Sequence, residues 1–191
     1  TEVGIGGLLD STNVFTPAVS VITTIGFDHM KILGNTLPEI AAQKAGIIKP
    51  KVPVVAGRLP ESAMKVVEQT AAKKQSPLYR VGHEVTADIK SATGWQEKFD
   101  YQFENQLFKG LKISMLGDYQ VDNASCALTA FILYQRQQHQ VINHSATVRS
   151  LAKTVWAGRF EPLNQDPLIV IDGAHNEPAI EELYPVWGTS R

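Results

Sequence analysis

The segment from residue 22 to residue 49, ITTIGFDHMKILGNTLPEIAAQKAGIIK, constrains the fold of this chain more than any other. A β-branched apolar run, Val19, Val21, Ile22 and Ile25, has the composition of a buried strand, and it breaks at Gly26 just before Asp28 and His29. Open α/β sheets collect ligands at the carboxyl ends of their strands, so His29 is a candidate site residue by position. A histidine hydrogen-bonding at a strand end is the plainer reading of the same residue. From Leu37 the period becomes helical, with Ile40, Ala41, Ala45, Ile47 and Ile48 as apolar positions and Gly46 close to the end. Lys44 lies inside that segment, where pattern alone favours a snorkelling surface lysine.

The alternation continues downstream. Residues 53–56 read as a short buried strand followed by Gly57, and residues 60–74 as an amphipathic helix with Met64, Val67 and Ala71 inward. Strand and helix in turn imply an α/β fold with a parallel sheet. Residues 78–81, 99–103 and 111–115 are β-like, with turns around Gly94-Trp95 and Lys109-Gly110, and the alternation of Phe99, Tyr101 and Phe103 predicts a half-exposed antiparallel region at the edge of the sheet. His83 and Glu84 read as solvated loop residues. A helix is expected over residues 124–138, with Asp122 or Asn123 as its N-cap, and another over residues 145–156, capped by Ser145. Between them runs a polar connection whose histidines, His139 and His144, have no metal-ligating company. Residues 168–171 form an apolar run ending at Asp172-Gly173-Ala174-His175-Asn176, a second strand tip bearing polar groups. The helix expected after Asn176 is interrupted by Pro178, Pro185 and Trp187-Gly188.

With 191 residues, 43% of them hydrophobic, the chain can bury a core of one domain and part of another. A net charge of −1 supplies no field for a nucleic-acid backbone or an anionic membrane, which favours small-molecule partners. The single cysteine, Cys126, excludes an intrachain disulfide, and no apolar run spans a bilayer; a cytoplasmic protein is expected.

Six motifs occur in one order: Glu2-Val3-Gly4-Ile5-Gly6-Gly7, Asp10-Ser11-Thr12-Asn13, Gly26-Phe27-Asp28-His29, Leu33-Gly34-Asn35-Thr36, residues 43–49 (QKAGIIK) and Asp172-Gly173-Ala174-His175-Asn176. The glycines of the first are not a dinucleotide fingerprint, since no strand precedes them and no ribose-binding acid follows at the right distance. Together the motifs resemble folylpolyglutamate synthase and its dihydrofolate synthase relatives, ATP-dependent amide ligases of the Mur ligase superfamily.

The resemblance implies a parallel-rich Mur-ligase-type central domain over residues 1–156 and the start of a Rossmann-like C-terminal domain from residue 157, with the junction at Gly158-Arg159-Phe160-Glu161. It implies Glu2 and His29 as magnesium ligands. It implies that Lys44 would become an N6-carboxylysine, an anion made when its neutral amine captures carbon dioxide, and would help to hold a second magnesium. Leu9, Asp10 and Ser11 would touch the pterin-bearing substrate, although bacterial members often carry an arginine where Leu8 stands. Asn123 would face the adenine, Arg159 the phosphates of ATP, and Asp172 and His175 the nucleotide from the C-terminal side, His175 as a catalytic group.

The implied reaction adds L-glutamate to the γ-carboxylate of a reduced folate through an acyl phosphate, with Mg2+ and ATP, in a monomer. Dihydrofolate synthase activity on dihydropteroate is the alternative. A chain that opens inside a motif and carries no G-x-x-x-x-G-K-[ST] phosphate loop is expected to be a fragment, one without turnover on its own.

Overall fold

The computed structural model describes residues 1–92 and 95–189. It divides into two compact units, one made of Thr1–Val85 with Cys126–Val141, the other of Thr86–Ser125 with Ile142–Arg191. The turn expected at Gly94 and the terminal residues 190–191 lie outside the described residues.

In the first unit three short strands, β1 (Ser20–Ile22), β2 (Val54–Ala56) and β3 (Leu78–Arg80), form a parallel sheet in that order, with Ser20 opposite Val54 and Val54 opposite Leu78. This is the parallel sheet that the strand and helix alternation called for. β1 is shorter than the apolar run that announced it: Ile25 is buried in the loop beyond the strand rather than in it. The ends of β1 and β2 press together at Gly57, whose N–H donates to the Ile22 carbonyl at 2.9 Å. A Cβ there would fall 2.0 Å from the Thr23 carbonyl oxygen, so only hydrogen fits.

A single turn, α1 (Met30–Leu33), leads to α2 (Leu37–Ala45). The start of α2 is fixed by a reciprocal cap: the Thr36 hydroxyl accepts from the Glu39 N–H, and the Glu39 carboxylate accepts from the N–H groups of Thr36 at 3.0 Å and Asn35 at 2.8 Å. Those backbone donors hold the Glu39 carboxyl below its ordinary range. Ile40, Ala41 and Ala45 face a core shared with Ile22, Ile25, Ile48, Val54 and, from α3 (Glu61–Lys73), Ala63 and Val67. Each fully buried isoleucine or valine here contributes roughly 1.5–3 kcal/mol.

The stretch before β1 forms bends and a short 3-10 turn over Ser11–Val14, capped by Asp10, because its backbone groups are satisfied by the Asp10 side chain and by α2. Glu84, expected as a solvated loop residue, pairs with the Arg80 guanidinium at 2.7 Å, and Arg80 also reaches Glu68. Arg80 holds the Glu84 carboxyl down at about 2.

The second unit holds a separate sheet, β4 (Val85–Ala92), β5 (Glu97–Phe103) and β6 (Gln106–Ile113), in that order. The region expected at the edge of the parallel sheet is therefore a sheet of its own. β5 and β6 pair antiparallel, with Phe99 opposite Leu111 and a bulge between Phe99 and Tyr101. The alternation was sound: Phe99, Tyr101 and Phe103 are wholly buried while Lys98 and Gln102 are exposed.

Helix α4 (Asp118–Gln137) starts earlier than expected, so Asp122 and Asn123 lie within it and neither is its cap. The cause is Gly117, whose left-handed backbone (φ 107°) turns the chain and whose carbonyl receives the first helical N–H groups. Helix α5 (His144–Lys153) is capped by Asn143, which accepts from the Ala146 N–H at 3.0 Å, and not by Ser145. The His144 ring stacks on Phe108 with centroids 4.2 Å apart.

Strands β7 (Glu161–Gln165) and β8 (Leu168–Ile171) form an antiparallel pair. Helix α6 (Glu177–Thr189) follows without interruption and contains Pro185; burial of the adjacent Val186 against Leu116 and Phe160 outweighs the proline's lost donor. Among the described residues no helix is long and apolar enough to cross a membrane.

Candidate active site

A cleft of about 630 Å3 opens in the first unit, between the N-terminal loop, the carboxyl end of β1 and α2. Its lining includes Glu2, Thr12, Asn13, Thr23, Thr24 and Lys44. Two of the charged residues singled out from sequence, Glu2 and Lys44, are thus brought to one cavity by segments some forty positions apart.

Close packing of the loop on the last turn of α2 puts them there. The Leu8 N–H donates to the Gln43 carbonyl at 2.8 Å, and Gly46 leaves room for this approach, since a Cβ on it would sit 2.4 Å from the Leu8 Cα. The Asn13 amide then bridges both pieces, its Nδ2 donating to Leu8 O at 3.0 Å and Gly46 O at 3.2 Å. Lys49 adds a third tie, Nζ to Asn13 O at 2.9 Å. Ile48 and Ala45 anchor this corner in the core, so the half-buried Lys44 projects from a fixed backbone.

Asp10 organises the loop from within. Its Oδ2 accepts from the N–H groups of Gly4 and Ile5 (3.1 and 3.0 Å), and its Oδ1 from the Thr12 hydroxyl at 2.5 Å and the Thr12 N–H at 2.9 Å. The Thr12 bonds, followed by those from Ile5 and Gly4, bring the carboxyl down to about 2. Asp10 is hence an anion at neutral pH, with its oxygens engaged by its own loop. Leu9, 89% exposed, and Ser11 stand out from that loop into solvent.

His29 does not line the cleft. It precedes α1 in a left-handed conformation (φ 47°), its N–H donating to Asp28 Oδ1 at 2.8 Å and its Nε2 lying 3.9 Å from Asp28 Oδ2. A non-glycine residue held in that region marks local strain, a feature that clusters at functional sites. Among the described residues no three His, Cys, Asp or Glu side chains form a metal cluster.

The remaining candidates belong to the second unit. Arg159, Asp172 and His175 come together where β7 begins and β8 ends. The Gly173 N–H donates to Gly158 O at 2.8 Å, and Asp172 accepts from the N–H groups of Phe160 and Ala174, both at 2.7 Å. Arg159 lies alongside, its Nη1 3.0 Å from where a Cβ on Gly173 would be. His175 Nδ1 is 3.0 Å from the Gly173 carbonyl. Asn123 stands apart on α4, its Nδ2 donating to Gln120 Oε1 at 3.2 Å. Tyr119, partly buried beside this region, has its hydroxyl pushed up by burial and, in the same direction, by Asp172.

Asn13, Thr23 and Thr24 were not singled out from sequence as site residues. Nothing local to the Asp10-Ser11-Thr12-Asn13 run tells that Asn13 reaches Gly46.

A parallel sheet with polar groups gathered at a strand's carboxyl end, a carboxylate and a lysine in one cleft, and a Gly-Arg turn pinned by an aspartate define a class. Residues 1–131 match the Mur ligase middle domain, and the chain belongs to the Mur ligase family. Within that family it is similar to the folylpolyglutamate synthase of Lacticaseibacillus casei, 40% identical over 182 residues, 95% of this chain and 42% of that protein. It is also similar to the dihydrofolate synthase/folylpolyglutamate synthase of Bacillus subtilis (strain 168), 36% identical over the same shares. A solved FPGS-AMPPCP-folate complex superposes with a TM-score of 0.95 at 39% identity, covering 98% of this chain and 46% of that one. The resemblance drawn from the six motifs is borne out. The chain spans less than half the length of these relatives.

Proposed function

We propose that the protein carrying this chain is an ATP-dependent ligase that joins L-glutamate to the γ-carboxylate of a reduced folate. The observation that carries this reading is the convergence of Glu2 and Lys44 on one cleft in a chain 40% identical to a folylpolyglutamate synthase. The solved complex of a relative with AMPPCP and folate supports the same pair of substrates.

In the proposed reaction the folate carboxylate attacks the γ-phosphorus of ATP. A phosphorus–oxygen bond forms, the bond to ADP breaks, and an acyl phosphate results. The glutamate amine then attacks the acyl carbon, giving up a proton, and phosphate departs with the electrons of the carbon–oxygen bond. An anion attacks an anion in the first step, so charge neutralisation and positioning dominate catalysis.

Arg159 supplies the parallel donors of a guanidinium to the phosphates, and Asn123 an amide for the adenine edge. Asp172 holds the turn that presents Arg159, and with His175 meets the nucleotide from the same side. Leu9 and Ser11 touch the pterin, a reading their exposure supports, with Asp10 shaping the loop between them.

Magnesium takes oxygen donors and binds few protein groups besides phosphates and waters. One carboxylate, Glu2, among hydroxyl-bearing neighbours suits that habit, with a carbamylated Lys44 as a further anionic ligand, whereas His29, which does not line the cleft, is not grouped with them. When bound, the ion would neutralise phosphate charge during phosphoryl transfer. We further infer a central domain over residues 1–156, the start of a C-terminal domain from residue 157, and a cytoplasmic monomer.

The test is a coupled phosphate-release assay on the full-length protein with ATP and glutamate, offering in turn tetrahydrofolate, its glutamylated forms and dihydropteroate. Turnover only with folates supports the proposal. Turnover with dihydropteroate as well, favoured by the bifunctional Bacillus subtilis relative, adds the second activity. Phosphate release with none of them refutes it.

A further inference from the structure

Glu97 is a buried carboxylate, 4% exposed, that none of the roles above employs. It sits at the first position of β5, and its Oε1 accepts from the Gly117 N–H at 2.9 Å. Gly117 is a demanding position. Its φ of 107° suits glycine alone, and a Cβ would lie 2.5 Å from Tyr119 Cε1 and 2.9 Å from Val186 Cγ2. With its N–H fixed by Glu97, the Gly117 carbonyl accepts from the Gln120 N–H at 2.9 Å and sets the first turn of α4. Gln120, 5% exposed, offers its Oε1 to Asn123 Nδ2 at 3.2 Å. A continuous chain of hydrogen bonds therefore runs from Glu97 through Gly117 and Gln120 to the Asn123 amide, all within the second unit.

We propose that Glu97 is a positioning residue that fixes which way the Asn123 amide faces, and so sets the preference of the nucleotide site for adenine. The inference rests on the reading of Asn123 as an adenine contact. An asparagine amide has a donating and an accepting side. Adenine offers an amino donor beside a ring acceptor, which an amide of fixed orientation meets on both sides. Hypoxanthine carries an oxygen where adenine has the amino group, and that oxygen would oppose Asn123 Oδ1. On the edge where hypoxanthine also carries a proton on N1, an amide free to turn over gives its N–H to the oxygen, accepts from N1–H and loses the distinction. Glu97 never touches the nucleotide in this scheme; it acts through the backbone of Gly117.

Affinities of the full-length protein for ATP and for inosine triphosphate are measured by titration calorimetry, beside melting curves. Wild type and Glu97→Gln, which keeps a neutral oxygen for Gly117, are expected to prefer ATP by the same ratio. Glu97→Met, close in length but without an acceptor, is expected to lower that ratio about tenfold through weaker ATP binding. An unchanged ratio in Glu97→Met, or a lost preference in Glu97→Gln, overturns the inference and leaves the Asn123 reading standing. Absence of ATP preference in wild type, or a preference that Asn123→Ala preserves, overturns both. If Glu97→Met does not melt cooperatively, Glu97→Asp, one methylene shorter, replaces it under the same outcomes.

Discussion

Replacing Gly46 by alanine sets two effects of opposite sign against each other. The residue has helical torsions (φ −58°, ψ −19°), so alanine is welcome to the backbone and should stabilise by about 0.5–1 kcal/mol through the unfolded chain. Its methyl, however, would lie 2.4 Å from both Leu8 Cα and Leu8 Cβ. Carbon atoms pack comfortably at about 3.5–4.0 Å, so the loop has to withdraw by about 1 Å.

Leu8 is tied by its N–H to Gln43, and Asn13 is tied to both Leu8 and Gly46, so withdrawal stretches three bonds at once. Overpacking of this kind costs about 1–3 kcal/mol, and each weakened hydrogen bond adds about 1 kcal/mol. The net expectation is a loss of about 3–5.5 kcal/mol, which for a chain of this size lowers Tm by about 6–22 °C. Circular dichroism melts of wild type and Gly46→Ala measure it. Adding Leu8→Gly removes the side-chain part of the clash and leaves the Cα part, so the double variant should recover only some of the loss. A Gly46→Ala chain that melts at or above wild type would refute the packing account.

Three further outcomes are expected. The Asp10 carboxyl is depressed from 3.8 to about 2, so its contribution to stability is fully present above pH 3.8 and fades as the pH falls toward 2; Asp10→Asn should flatten that part of the urea-stability profile, and parallel profiles would remove the loop-organising role. Asn143→Ala, which deletes the α5 cap, should cost the second unit about 1 kcal/mol and speed amide exchange at Ala146, whereas Ser145→Ala should do neither. Lys44→Met should abolish ligase turnover in the full-length protein, and intact mass under carbon dioxide should show one adduct in wild type that is missing from the variant; a plain amine in fully active enzyme would sink the carbamate.

The parallel sheet and α2 were legible because their signals are local. A β-branched run, a glycine and a change of period each lie within a few residues of the structure they specify. The sequence also held the capping pair Thr36 and Glu39, which places the start of α2 without any tertiary knowledge.

What could not be read depends on distant partners. The start of α4 is set by Gly117, which Glu97 holds from twenty residues upstream. The strand over residues 97–103 alternates cleanly, yet alternation does not say which sheet the strand joins; that is decided by pairing with β6. Pro185 and Trp187 looked like breakers, but the pull of Val186 into the cluster with Leu116 and Phe160 keeps α6 whole. For the candidate site, residue types suggested Glu2 and Lys44, whereas their meeting in one cleft depends on a glycine and an asparagine whose importance lies in close approach.

The bridging amide of Asn13 also bears on how the cleft can breathe. Its bond to Gly46 O joins those from Leu8 to Gln43 and from Lys49 to Asn13 O in crossing from loop to helix end, so these two pieces form a single jaw and cannot part without breaking all of them.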